Sequence, residues 1–173
     1  MENITIRKAI PTDAPCIALL ARITFTETFN NHFNDPQDLQ NYYNETFSVK
    51  KISNSIQNEN NIFWIAFCDE IPVGYAKLKK HSKTTFINSN SVSQLQKIYV
   101  LKDFLSKKIG YKLQNEIFEE TKLIKTKKLW LSVLKTNYRA INFYKKSDFT
   151  QIGTHTFDIG KAHFNFIVLK KDF

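Results

Sequence analysis

The chain has 173 residues, 42% hydrophobic and 24% charged, which is the make-up of one globular domain spanning 1–173 with room for a buried core. Its 15 Phe and 7 Tyr against only 4 Gly and 4 Pro argue against disorder. Cys16 and Cys68, far apart in apolar company, predict buried free thiols and no metal site. The net charge of +9 is divided, with acids from Asp13 to Glu45 and lysines from Lys97 to Lys128, and no helix-turn-helix or RNA-binding signature points it at nucleic acid.

In chain order, Ile4 to Lys8 alternates as a short strand, and Pro11-Thr12-Asp13 breaks it, with Thr12 or Asp13 placed to cap a helix. Ile17, Leu20, Ala21, Thr24 and Thr28 share one helical face, with Phe25 and Phe29 beside it. Asp35-Pro36 starts a second helix, and a third runs from Val49 to Ile56. Phe63 to Cys68 and Ile71 to Leu78 form a hairpin about the Asp69-Glu70 turn. A polar loop from His81 to Ser91 leads to a strand from Leu95 to Val100 and a helix over 106–122. Leu129 to Val133 is a strand, Ala140 to Lys146 lies in a helix, and Phe149 to Phe157 pairs with Phe164 to Leu169. The order β-α-α-α-β-β-β-α-β-α-β-β predicts an α/β (α+β) fold with a mixed, mostly antiparallel central sheet flanked by helices. No basic-then-apolar leader and no run of membrane-spanning length occurs, so a cytoplasmic protein without membrane partners is expected, as a monomer or homodimer.

The chemistry concentrates where the strand ending at Leu101-Lys102 turns into the helix near Gly110. A helix N-terminus carries unpaired N–H groups and partial positive charge, so it can cradle a pyrophosphate, and Lys107 and Lys108 add two cations there. Alternative readings are a lysine-rich loop ahead of an ordinary helix and, for most of these lysines, a solvated face.

Here the chain resembles the GNAT acetyltransferase superfamily over nearly its whole length. Ile98-Tyr99-Val100-Leu101-Lys102 looks like the family's fourth strand, and Leu105-Ser106-Lys107-Lys108-Ile109-Gly110 sits where its Q/R-x-x-G-x-G/A acyl-CoA motif belongs, with Leu105 and Lys108 off-pattern. Leu129-Trp130-Leu131-Ser132-Val133 and the block from Asn137 to Lys146, closed by Asp148-Phe149 in place of the usual Gly-Phe, are similar to its fifth strand and fourth helix. Thr24 to Phe29, the helices from Asp35 to Ile56, and Gly153 to Phe157 resemble the PaiA group of bacterial polyamine acetyltransferases.

The resemblance implies acetyl-CoA as co-substrate, direct transfer, and a small cationic amine such as spermidine or spermine as acceptor. A peptide or protein N-terminus, or a non-catalytic acyl-CoA sensor, are the other readings. It implies that the backbone of Ile98, Tyr99 and Val100 pairs with the pantetheine arm, with the Ile98 N–H donating to the oxyanion. Leu105, Ser106, Lys107, Lys108, Ile109, Gly110 and Tyr111 would hold the pyrophosphate, and Asn137, Arg139, Ala140, Phe143, Tyr144 and Lys146 complete the cofactor contacts. Tyr144 is the expected general acid. Gln94 and Gln96 stand where relatives carry a basic carboxylate, leaving Glu27 or a water chain as the base. His155 could also face the cleft, though a lone strand histidine is more often structural.

Overall fold

The computed structural model describes residues 2–173. Seven strands form one sheet: β1 (Ile4–Lys8), β2 (Asn61–Cys68), β3 (Ile71–Lys79), β4 (Val92–Val100), β5 (Lys128–Leu134), β6 (Thr150–Ile159) and β7 (Ala162–Asp172). Their spatial order is β1-β2-β3-β4-β5-β7-β6, and every pairing is antiparallel except β4 with β5. The single parallel pair follows from the connection: β4 and β5 are joined by a helical crossover, α4 (Ile109–Leu123), whereas hairpins join β2 to β3 and β6 to β7.

Helices cover both faces. On one, α4 and α5 (Tyr138–Lys145) bury Ile109, Leu113, Ile117 and Ile141 against Trp64, Leu78, Leu95, Leu129 and Leu131. On the other, α1 (Ala14–Phe29) and α3 (Val49–Gln57) bury Ile17, Leu20, Phe25 and Ile52 against Phe63, Ile65, Tyr75 and Phe164. The short α2 (Pro36–Thr46) contributes aromatics, with Tyr42 4.8 Å from Phe25 between ring centroids. Alternation along β2 assigns the two faces: Trp64 and Ala66 go to one core, Phe63 and Ile65 to the other.

Some local expectations change. Asp13 does not cap α1 with its side chain; its carboxylate takes the Arg7 guanidinium through two bonds of 2.7 Å and the Ile10 N–H at 2.8 Å. A nearby guanidinium offers a bidentate charge-assisted pair that a helix N–H cannot match. Asp35 does cap α2, accepting from the Gln37 N–H at 2.9 Å. Cys68 is buried as expected, but Cys16 is exposed because it falls on the solvent side of α1. β4 starts at Val92, three residues before its apolar stretch, because Val92, Ser93 and Gln94 find β5 as a partner. The α-helix after it starts at Ile109, since Lys102–Lys107 coil as a 3-10 turn and Lys108 is left-handed, with φ 58°. No described helix is long and apolar enough to cross a membrane.

Candidate active site: a split between two parallel strands

β4 and β5 bond only from Val92 opposite Lys128 to Gln94 opposite Trp130. Beyond that they diverge, while β4 stays paired with β3 as far as Val100. The register of β4 against β3 slips at this point, Lys77 opposing Lys97 and Leu78 opposing Leu95, so Gln96 is the extra residue of a bulge. A bulge bends and twists its strand, which turns the far half of β4 away from β5. The open edge of β4 faces a cleft of about 940 Å³ lined by α1, β4, β5 and the N-termini of α4 and α5.

At the cleft mouth the first helical bond of α4 runs from the Lys112 N–H to the Lys108 carbonyl, at 3.1 Å. The N–H groups of Ile109, Gly110 and Tyr111 precede that bond and have no intrahelical acceptor. They form a positive rim that fits an anion, and a strand edge beside it fits an extended amide chain. This is a geometry that the phosphates and pantetheine arm of acetyl-CoA would match.

Of the residues expected at the cofactor, Ile98, Tyr99, Val100, Leu105, Ser106, Lys108, Gly110, Tyr111, Asn137, Arg139, Ala140, Phe143 and Tyr144 line this cleft, and so does Glu27. Three do not. The Lys107 ammonium is paired with Glu2 and lies over the Phe104 ring, Ile109 is fully buried under the helix, and Lys146 is exposed past the end of α5. Lys107 is turned aside because the 3-10 turn aims it at the carboxylate beside β1, so of the two neighbouring lysines only Lys108 lines the cleft. The side chain of Asn137 is already committed, its Oδ1 accepting from the Ala140 N–H at 3.1 Å as the cap of α5.

Tyr144 is 7% exposed, wedged edge-on between Phe143 and Phe149. Burial raises its phenol above the ordinary range, and Tyr99 adds to the rise. It therefore holds its proton at neutral pH and is a donor. Glu27 sits on the last turns of α1, exposed, with its carboxylate accepting the Lys102 N–H at 3.2 and 3.4 Å. That bond ties α1 to the loop leaving β4.

The lining also contains groups that the sequence reading passed over. Lys97 faces the cleft from β4, and burial brings its ammonium down to about 8. Ser132 faces it from β5, and its hydroxyl meets His155 Nε2 on β6 at 2.8 Å. His32 stands at the rim near the end of α1. Ser132 interrupts the apolar run of β5 with a polar side chain, which is the sequence signal that would have found it, whereas Lys97 sits among the polar Gln94 and Gln96 of β4 and carries no such signal. By contrast, the acids of the first half serve structure: Asp13 holds Arg7, while Asp35 and Asp38 take the Lys161 ammonium and N–H. Glu27 alone among them lines the cleft.

Comparison with known proteins agrees with this geometry. Residues 24–149 match the Acetyltransferase (GNAT) family. The chain is similar to an uncharacterised N-acetyltransferase in the pepI 3' region of Lactobacillus delbrueckii subsp. lactis, 26% identical over 172 residues, which cover 99% of this chain and 98% of the relative. Its fold is similar to that of PaiA N-acetyltransferase from Thermoplasma acidophilum in complex with coenzyme A, at a TM-score of 0.75 and 23% identity, covering 99% of each chain. It is also similar to a ribosomal-protein-alanine N-acetyltransferase from Brucella melitensis, at a TM-score of 0.71 and 19% identity, covering 98% of this chain and 99% of the other.

Proposed function

The chain belongs to the Acetyltransferase (GNAT) family, and on that premise we propose that it transfers acetyl from acetyl-CoA directly to the amine of a small acceptor. The observation that carries the reading is the split between β4 and β5, with the free N–H groups of α4 at its mouth. An extended pantetheine arm would add to the open edge of β4 at Ile98, Tyr99 and Val100, and the Ile98 N–H would donate to the oxygen on which charge develops. The pyrophosphate would lie on the N–H groups from Lys108 to Tyr111, flanked by Leu105, Ser106 and the Lys108 ammonium. Asn137, Arg139, Ala140 and Phe143 would wall the far side. Tyr144, buried with its proton held, is the group to protonate the departing thiolate. The reading treats 1–173 as one catalytic unit working in the cytoplasm.

For the acceptor, the likeness to the PaiA group supports a polyamine, and the fold shared with PaiA from Thermoplasma acidophilum is in keeping with it. The acidic first half lends less support than its composition suggests, because Glu27 is its one carboxylate at the cleft. A peptide N-terminus is the rival, with the ribosomal-protein-alanine enzyme sharing the same fold. Free-thiol release from acetyl-CoA with a panel of polyamines, simple amines and short peptides tests all of these. Turnover on any amine upholds the transferase reading, and the preferred amine selects the acceptor. Tight coenzyme A binding by calorimetry with no turnover on any acceptor would instead make the protein an acyl-CoA sensor. Glu27→Gln with unchanged turnover would remove Glu27 as base.

A further inference from the structure

Acetyl transfer from a thioester to an ammonium, R–NH3+, yields the amide, the thiol and one proton that must leave the cleft. The amine attacks only after shedding that proton, because a protonated nitrogen has no lone pair. Gln94 and Gln96 on β4 are amides and take no proton. Glu27 has its oxygens on the Lys102 N–H. Tyr99 and Tyr144 are both pushed upward by burial and stay protonated. Lys97, brought to about 8, is still mostly an ammonium at neutral pH.

We propose that the proton leaves through Ser132 and His155, with Ser132 Oγ as the atom that meets the acceptor ammonium and His155 as the acceptor behind it. The inference rests on the acetyl-transfer reading above. Its geometry is fixed on three sides. His155 Nε2 lies 2.8 Å from Ser132 Oγ, and Nδ1 lies 3.3 Å from the Thr156 carbonyl. A carbonyl only accepts, so the ring proton belongs on Nδ1 and Nε2 presents its lone pair to the serine. The Ser132 hydroxyl then donates to His155, which leaves the oxygen lone pairs for the cleft. The imidazole plane is held by stacking on Phe166, with 5.2 Å between centroids and 11° between planes.

The step balances. One N–H bond of the acceptor breaks as its proton goes to Ser132 Oγ, and the serine's own proton moves to His155 Nε2. The freed nitrogen lone pair forms the C–N bond while the C–S bond breaks. The departing sulfur takes the Tyr144 phenol proton, and the nitrogen's second surplus proton passes to that tyrosinate as the neutral amide forms. After the carbon–sulfur pair parts, the imidazolium returns its proton to water, which reaches His155 because the side chain is half-buried rather than sealed. The other titratable groups facing the same cleft are Lys97, Tyr99, Lys102, Lys108, Tyr111 and Arg139, together with Glu27, His32 and Tyr144.

The test is a basicity series of one size: ethylamine, 2-fluoroethylamine, 2,2-difluoroethylamine and 2,2,2-trifluoroethylamine, each at saturating concentration at pH 7. Thiol release is followed in the wild type and in His155→Gln, Ser132→Ala and His32→Gln, with coenzyme A affinity measured on each. Fluorine makes the ammonium stepwise more acidic, so the last amine enters already neutral and has no proton to shed before attack. The expected result for His155→Gln and Ser132→Ala is a loss of about a hundredfold with ethylamine, fading to about twofold or less with trifluoroethylamine. Coenzyme A affinity should match the wild type in the Ser132 and His155 variants, and any loss in His32→Gln should be equal across the series. An equal loss across the series would make the pair structural and overturn the inference while leaving acetyl transfer intact. The same fading pattern in His32→Gln instead would move the proton exit to the turn that follows α1 and overturn it too. No thiol release in the wild type from any of these amines or from the polyamines and peptides of the acceptor panel would overturn the transferase reading and this inference together.

Discussion

Lys97 of β4 lies directly opposite Lys77 of β3, and neither ammonium has a carboxylate partner among the described residues. Each rests over an aromatic ring instead, Lys97 at 5.6 Å from the Phe47 centroid and Lys77 at 5.1 Å from Phe63. Both come down to about 8, Lys97 through burial and Lys77 through burial first, with the Lys97 and Lys79 charges contributing. On the cleft wall, such an ammonium would disfavour a second positive charge and so would assist loss of the acceptor proton in the proposed transfer.

This pair sets a pH signature on stability. Between about 8 and the ordinary 10.5 the unfolded chain holds lysine protons that the folded chain has released. Stability contributed through these groups therefore rises with pH across that window and is lowest below it. Lys97→Met should be more stable than the wild type at pH 7 by on the order of 1 kcal/mol, or ~2–4 °C in Tm. The advantage should shrink as pH climbs from 8 to 10.5. Thermal unfolding at a series of pH values checks it, and a pH-independent difference would contradict it.

Lys108 should tolerate asparagine but not valine. Its φ of 58° lies in the left-handed region, which asparagine enters readily and β-branched residues do not. Lys108→Val should cost about 1–2 kcal/mol, read from denaturant midpoints. Lys108→Asn should leave stability within about 0.5 kcal/mol. Its coenzyme A affinity should nonetheless fall several-fold, with a shallower salt dependence, because the rim cation is gone.

Gly74 supports β4 from behind. A Cβ there would stand 2.8 Å from the Tyr99 carbonyl oxygen, and the obstacle is backbone rather than a side chain that could swing away. Gly74→Ala should cost about 1–3 kcal/mol as an overpacked site. Because the displaced segment is the strand at Tyr99 and Val100, coenzyme A affinity should fall along with stability. Calorimetry beside chemical denaturation separates the two effects.

Tyr144→Phe keeps the edge-on contacts with Phe143 and Phe149 and removes only the hydroxyl. Turnover should drop by about a hundredfold, the ordinary worth of a positioned acid, while coenzyme A affinity stays near that of the wild type. Thiol release and calorimetry on the same preparation check the pair of outcomes, and unchanged turnover would remove the acid role.

The strand and helix order was legible from local pattern alone, because alternation in β2 and helical spacing in α1 are imposed by which face each residue must bury. The motif departures were harder to interpret. Lys108 and Asp148 both replace a family glycine, and both prove left-handed, at φ 58° and 63°. At both positions the backbone thus takes a conformation that favours glycine while carrying a side chain that hides it, a fact that residue identity by itself does not carry.

What the sequence determined by itself was the fold and the segment that edges the cleft, since both rest on patterns within ten or twenty residues. What only the tertiary structure decided was the company each side chain keeps. Lys107 was drawn to Glu2 across more than a hundred residues, the acids of the first half were taken up by Arg7 and Lys161, and Cys16 came to lie in solvent. Ser132 and His155 meet across the β7 strand that separates theirs. Charge and hydrogen-bond partners depend on contacts between distant strands and helices, and those distances exist only once the sheet has assembled.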